Sequence, residues 1–248
     1  MNWEHSESFK IRGYEIDAGN HAPVQSCCAF MEEAAGNHAE SLGFGVDFLQ
    51  EKGITWVLAR MQLEVYELPV STDTVVVKTW PVEVERLQFR RDFTLSDGNG
   101  RDFVRAVTDW VIIDLASRRL LKIPDFIAAC QVPNAPRAFT KEKLRIDGQE
   151  NSPELKSFVV RKADIDRNRH VNNVRFSDWM LESVPDDICE NKKLSGLQII
   201  YRAEAVYGDT VIARGGKGLE NAGGCEFLHG LYRASDGQEL VRAKSIWR

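Results

Sequence analysis

Residues 9–33, FKIRGYEIDAGNHAPVQSCCAFMEE, align without a gap on residues 158–182, FVVRKADIDRNRHVNNVRFSDWMLE. Phe9, Arg12, Ile16, Asp17, His21, Met31 and Glu33 recur as Phe158, Arg161, Ile165, Asp166, His170, Met180 and Glu182. Further matches keep the same order. Asp73-Thr74-Val75 returns as Asp209-Thr210-Val211, Ser96-Asp97-Gly98 as Ser235-Asp236-Gly237, and Val104-Arg105-Ala106 with Trp110 as Val241-Arg242-Ala243 with Trp247. Ordered self-similarity of this kind marks a duplicated structural unit. The chain therefore divides into repeats over 1–130 and 155–248, joined by a polar, proline-bearing linker over 131–154 that suits a surface crossing.

Each repeat has one order: an extended segment, a helix, then several strands. Over 24–42, Cys27, Phe30, Met31, Ala34, His38 and Leu42 fall near helical spacing. The stretches ITWVLARMQLEVYEL (54–68), TVVVKTW (74–80), FRRDFTL (89–95) and FVRAVTDWVIID (103–114) read as strands, with Pro69, Pro81 and Asp97-Gly98 as turns. In the second repeat a helix is expected near 172–183. Strands are expected in LQIIYRAEAVY, TVIARGGKG, CEFLHGLYRA and LVRAKSIW. One helix plus an antiparallel sheet gives an α+β layer per repeat, the helix covering the apolar face of the sheet.

The 248 residues are 43% hydrophobic, enough for a real core, and a net charge of -5 argues against wholesale attraction to nucleic acid. The five cysteines have no paired metal-ligand spacing and read as thiols of a reducing compartment. Neither a signal or transit peptide nor a membrane span is visible, so the cytoplasm is the default expectation.

Chemistry concentrates in DIDRNRHVNN, where Asp166, Asn168 and His170 bring a carboxylate, an amide and an imidazole to a loop before a helix. The N-H groups there can stabilise an oxyanion, with Val171 the candidate donor. The bland alternative is that Asp, Asn and His cap and turn the chain. The first repeat keeps Asp17 and His21 but has Gly19 at the place of Asn168, and Ala22-Pro23 at the place of Val171-Asn172. Glu204, in a segment patterned as a strand, faces Leu68 in the first repeat when the Asp-Thr-Val triplets are superposed. A strand glutamate can simply point to solvent. Its absence from the first repeat places any site in the second.

These residues resemble the acyl-acyl carrier protein (ACP) thioesterase family. The resemblance runs through FKIRGYEID, WVLARMQLEVYELP, FRRDF, SRRLLKIPD, DIDRNRHVNNVRFSDWMLESVP and IIYRAEA, with the DxNxHVNN core the most specific part. It implies a tandem (double) hot-dog fold, two helix-wrapped antiparallel sheets in one chain. It also implies a catalytic set of Asp166, Asn168, His170 and Glu204. Many relatives carry a cysteine after that glutamate; here the residue is Ala205, which rules out a cysteine nucleophile at that position. The reaction implied is hydrolysis of fatty acyl-ACP in fatty acid biosynthesis, without metal or dissociable cofactor, the phosphopantetheine arm belonging to the substrate. Glu204 activating water and Asp166 attacking directly both stay open.

The resemblance further puts the acyl pocket largely in the first repeat, with Met31 and Trp56 as lining. ACP is acidic, so Arg90, Arg91, Arg118, Arg119 and Lys122 are candidate contacts. An acyl-CoA thioesterase, a non-catalytic acyl-binding regulator and a hydratase are the competing functions. Oligomeric state, a homodimer included, stays open.

Overall fold

The structure, a computed structural model, describes residues 3–130, 132, 134–140, 144–221 and 223–248. Of the expected linker, Gln131, Pro133 and residues 141–143 lie outside them. The chain separates into two compact units, Met1–Lys141 and Glu142–Arg248.

Unit 1 holds β1 (His5–Lys10), α1 (Val24–Ser41), α2 (Val46–Glu51), β2 (Ile54–Val65), β3 (Thr74–Val84), β4 (Phe89–Ser96), β5 (Asp102–Asp114), β6 (Leu120–Leu121) and α3 (Asp125–Ala128). Its antiparallel sheet runs β1-β3-β4-β5-β2, with the short β6 on β5. The apolar spacing of α1 is the cause of its packing, since Val24, Cys27, Cys28, Phe30, Met31, Ala34, Ala35, His38 and Ala39 form one buried face. Pro81 does not mark a turn. It lies inside β3 at a register shift between Pro81 and Glu83, where an irregular ladder tolerates a residue without an N-H.

Unit 2 holds β7 (Glu154–Val159), a 3-10 turn (Lys162–Asp164), α4 (Asn173–Leu181), α5 (Asp186–Cys189), β8 (Leu194–Tyr201), β9 (Thr210–Asn221), β10 (Gly224–Arg233) and β11 (Glu239–Trp247). Its antiparallel sheet runs β7-β9-β10-β11-β8, the same order as β1-β3-β4-β5-β2.

The repetition reaches individual contacts. Phe9 stacks on Phe30 of α1 with ring centroids 5.1 Å apart, and Phe158 stacks on Trp179 of α4 at 5.6 Å. Trp110 Nε1 donates to Thr108 Oγ1 at 2.9 Å, as Trp247 Nε1 donates to Ser245 Oγ at 2.8 Å. Arg105 Nε holds Asp102 and Arg242 Nε holds Glu239, each at 2.8 Å. Each unit is the helix-wrapped antiparallel sheet of the hot-dog fold.

The segment between the repeats is less of a surface crossing than its composition suggests. Pro136 C=O accepts Trp80 Nε1 at 2.7 Å and buried Ala138 donates its N-H to Asp92 at 2.8 Å, so this part belongs to unit 1. Ile146 is buried and Gln149 N-H donates to Tyr232 Oη at 3.0 Å, tying the later part to unit 2.

Candidate active site

The loop 161–172 is built from its two carboxylates. Asp164, fully buried, accepts the Arg161 N-H at 2.8 Å and the Arg161 guanidinium at 2.8 and 3.1 Å. That guanidinium, foremost among the causes, holds the Asp164 carboxyl below its ordinary range. The Asp164 carbonyl accepts the Asn172 N-H at 2.9 Å, closing the loop at the residue that caps α4. Asn172 in turn accepts the Val174 N-H on its side chain at 2.8 Å.

Asp166 shapes the interior of the loop. Its Oδ1 accepts the N-H of Asn168 at 2.8 Å and of His170 at 3.3 Å, and its own N-H donates to the His170 carbonyl at 2.8 Å. Asn168 Nδ2 lies 3.4 Å from Asp166 Oδ2. Arg169 between them is left-handed, with φ 65°.

The Val171 N-H donates to the Ala205 carbonyl at 2.9 Å and docks this loop on the segment that carries Glu204. His170 Nε2 then lies 3.3 Å from Glu204 Oε2, both side chains partly open to solvent. A carboxylate and an imidazole thus meet next to the loop that leads into α4, and such a pair can deprotonate water or polarise a carbonyl.

Several expectations need correction. Glu204 does not stand in a strand. The strand β8 ends at Tyr201, after which the N-H groups of Arg202 and Ala203 both reach the Leu240 carbonyl and the Val206 N-H bonds the Asp209 side chain at 3.0 Å. That irregular course carries Glu204 out of the ladder. Val171 is not an available oxyanion donor, because its N-H is taken by Ala205. The helix begins two residues later, and the Asn173 N-H has no hydrogen-bond partner among the described residues.

Of the expected carrier contacts, Arg90 is held inside unit 1 by Glu83 and by Asp109, the latter at 3.3 Å. Arg91 is buried, donating to Thr79 Oγ1 at 3.2 Å with its Nη1 2.9 Å from His38 Nδ1, and burial pushes its pKa down to about 10. Burial closes Arg91 to a partner, while Arg90 stays partly exposed. Arg118 and Arg119 are exposed, and exposed Lys122 bonds Asp125 at 2.9 Å. Of the expected pocket residues, Met31 is buried on α1. Trp56 is half-buried against Phe89, at 5.3 Å, and Phe44, at 6.3 Å, within an apolar cluster that includes Leu49, Ile112 and Ile127.

Asp164 and Asn173 escaped notice in the sequence. The Arg161-to-Asp164 spacing, repeated as Arg12 to Glu15, is a signal for the first; nothing marks a free backbone donor before the helix start is known.

Comparison with known proteins bears on the family and the fold. The model of the acyl-ACP thioesterase N-terminal domain matches residues 2–130 and that of the C-terminal domain residues 148–248. An oleoyl-acyl carrier protein thioesterase 1 of Arabidopsis thaliana is 33% identical over 98% of this chain and 76% of its own length. A palmitoyl-acyl carrier protein thioesterase of Cuphea hookeriana is 33% identical over 98% of this chain and 61% of its own length. Among solved structures, an acyl-ACP thioesterase of Bacteroides thetaiotaomicron superposes with a TM-score of 0.88 at 26% identity, covering 100% of this chain and 98% of that one. The 12:0-ACP thioesterase of Umbellularia californica superposes at 0.87 with 28% identity, covering 99% and 94%.

Proposed function

Because the chain belongs to the acyl-ACP thioesterase family, and is thus a thioester hydrolase for fatty acyl-ACP, we propose that Glu204 activates the hydrolytic water in its second unit. The contact between His170 Nε2 and Glu204 Oε2, at 3.3 Å, carries this reading. Glu204 takes the proton of a water that attacks the thioester carbon. His170, whose Nε2 lies 3.3 Å from the carboxylate, fixes its orientation, and Asn168 positions the water or the carbonyl. The developing oxyanion is met by the Asn173 N-H at the start of α4 rather than by Val171. The C-S bond then breaks and the thiolate of the arm leaves, a group stable enough near neutral pH to need no metal assistance.

Asp166 acts as the organiser of the loop, its Oδ1 gathering the N-H groups of Asn168 and His170. In this reading unit 1 holds the acyl chain, with the apolar cluster beside Trp56 and the buried Met31 of α1 as lining. The reaction belongs to fatty acid biosynthesis, in a reducing, cytoplasmic setting that suits five cysteines present as free thiols. No helix among the described residues is long and apolar enough to cross a membrane. The test is release of free acid from one acyl chain presented on ACP and on CoA. Preference for ACP supports the reading, and turnover of CoA esters alone defeats it in favour of an acyl-CoA thioesterase.

A further inference from the structure

Side chains that the catalytic loop carries but does not need for its own fold point to where a carrier protein docks. The loops 12–21 and 161–170 share a set of internal bonds. The Arg12 N-H donates to Glu15 at 2.7 Å as the Arg161 N-H donates to Asp164 at 2.8 Å, and the N-H groups of Asp17 and Asp166 reach the carbonyls of His21 and His170, both at 2.8 Å. Positions 162, 167 and 169 put no side chain into these bonds, and in the first loop they are Gly13, Ala18 and Asn20. In the second they are Lys162, Arg167 and Arg169. Residues 161–170 carry four cationic side chains against Asp164 and Asp166, whereas residues 12–21 carry Arg12 against Glu15 and Asp17.

Arg169 gives the sharpest signal. It is left-handed at φ 65°, and so is Asn20 at φ 65° in the equivalent place. Asparagine tolerates that backbone because its short polar side chain bonds locally; a long side chain does not favour it. Arg169 is exposed, and its guanidinium makes no ion pair or hydrogen bond among the described residues. A residue that gains nothing within the fold at an unfavourable backbone position is accounted for by what it meets outside. Lys162 is exposed as well, its ammonium 5.8 Å from the ring of Tyr207. Tyr207 is 60% exposed and Val206 44%, giving an apolar patch beside the cation, where unit 1 has Ser71 and Val70. Exposed tyrosine and arginine around an apolar centre are the usual make-up of a protein interface.

We propose that Lys162, Arg169 and Tyr207 form the docking surface for the acidic face of the carrier protein around its arm-bearing serine, and that they confer preference for a carrier-borne acyl group. This rests on the acyl-ACP hydrolysis assigned above. Charge complementarity selects the occupant, because exposed cations on the catalytic loop with an exposed apolar patch beside Lys162 attract an acidic protein surface and give little to a thioester that lacks one.

The experiment compares Arg169→Asn, Arg169→Glu and Lys162→Glu/Arg169→Glu with the unmodified chain on one acyl group carried by ACP, by CoA and by pantetheine. Arg169→Asn takes over the residue of the first loop and so keeps the backbone. Expected are unchanged kcat values, a KM for acyl-ACP raised about threefold by Arg169→Asn and at least about tenfold by the double reversal, and unchanged KM values for both small thioesters. The KM of the unmodified chain for acyl-ACP is also expected to rise with salt more steeply than that of the double variant. Equal losses on ACP and CoA with none on pantetheine would assign these side chains to the phosphate of the arm and overturn the proposal. Unchanged KM on all three substrates would overturn it too, with the hydrolytic function intact. Failure of the unmodified chain to hydrolyse acyl-ACP would overturn the function itself.

Discussion

In unit 1 the Asp17 side chain accepts the His21 N-H at 2.9 Å, and the Ala22 N-H donates to the Pro69 carbonyl at 2.7 Å. In unit 2 the Asp166 side chain accepts the His170 N-H at 3.3 Å, and the Val171 N-H donates to the Ala205 carbonyl at 2.9 Å. One skeleton serves both loops, but the imidazoles find different partners. His21 Nδ1 leans back towards its own Asp17 at 3.9 Å, because Leu68 stands where unit 2 has a carboxylate, whereas His170 Nε2 reaches Glu204 at 3.3 Å. The aspartate and the backbone of the histidine are therefore what the fold requires. Asn168, Glu204 and the outward imidazole are what the proposed chemistry adds.

The largest expected effect tests that division. Glu204→Ala and His170→Ala should each lower kcat on acyl-ACP by at least about a hundredfold in a folded protein, the scale for losing a general base or the group that orients it. His21→Ala should change kcat less than about threefold. Steady-state turnover of the three proteins decides it, and an equal collapse for His21→Ala would erase the distinction between the loops.

Asp166 sharpens the comparison. As organiser of its loop it is replaceable by a residue that still accepts an N-H, so Asp166→Asn should keep about a tenth of kcat or more and Asp166→Ala should keep less. In unit 1 Asp17→Ala should cost about 0.5–1.5 kcal/mol of stability, the net worth of a hydrogen bond, with activity preserved. Loss of about a thousandfold or more for Asp166→Asn, equal to that for Asp166→Ala, would instead mark Asp166 as the nucleophile.

The duplication was legible because it lies in short-range patterns: helical spacing in α1, alternation in the strands, and turn residues in register. Even the burial of Arg91 was there to read, since it alternates with Phe89 and Phe93 in FRRDF and all three face inward on β4. Where tertiary bonds set the geometry, local pattern failed. The departure of Glu204 from its strand depends on Leu240, and the occupation of the Val171 N-H depends on Ala205, both distant in sequence. The free donor at Asn173 likewise follows from where α4 starts, which Asp164 fixes from eight positions before Asn172 through its carbonyl.

A third contrast concerns acid. The strand pairing that sets His229 opposite Ala243 in unit 2 sets Phe93 opposite Ala106 in unit 1. His229 is buried against Ser245, its Nε2 2.8 Å from Ser245 Oγ, and burial pushes its pKa down to about 3. The unfolded chain then binds a proton that the folded chain refuses. Stability attributable to this group is full above about pH 6.5 and falls as pH drops from about 6.5 towards about 3, by at most about 1.4 kcal/mol per pH unit. His229→Phe should flatten that slope in denaturant titrations at several pH values, and an unchanged slope would show that other groups govern acid unfolding.

The smallest expected effect is at Ala205, the position where many family members carry cysteine. Ala205 is fully buried and pairs through its carbonyl with the Val171 N-H, in the place that Pro69 takes in unit 1. Its side chain is enclosed in the protein, so the sulfur of Ala205→Cys would enter the packing beneath the loop and not the space beside Glu204 and His170. Any cost is that of fitting one extra atom into a filled site, about 1 kcal/mol or more in stability, with little bearing on the chemical step. The variant should turn over acyl-ACP within about threefold of the unmodified chain, and alkylation of the native protein with iodoacetamide should not slow either one. A burial-raised thiol is a poor nucleophile in any case, as at Cys27, whose pKa burial pushes up to about 12. A gain of tenfold or more on adding the cysteine, abolished by alkylation, would place a thiol within reach of the substrate and remove Glu204 as the activator of water.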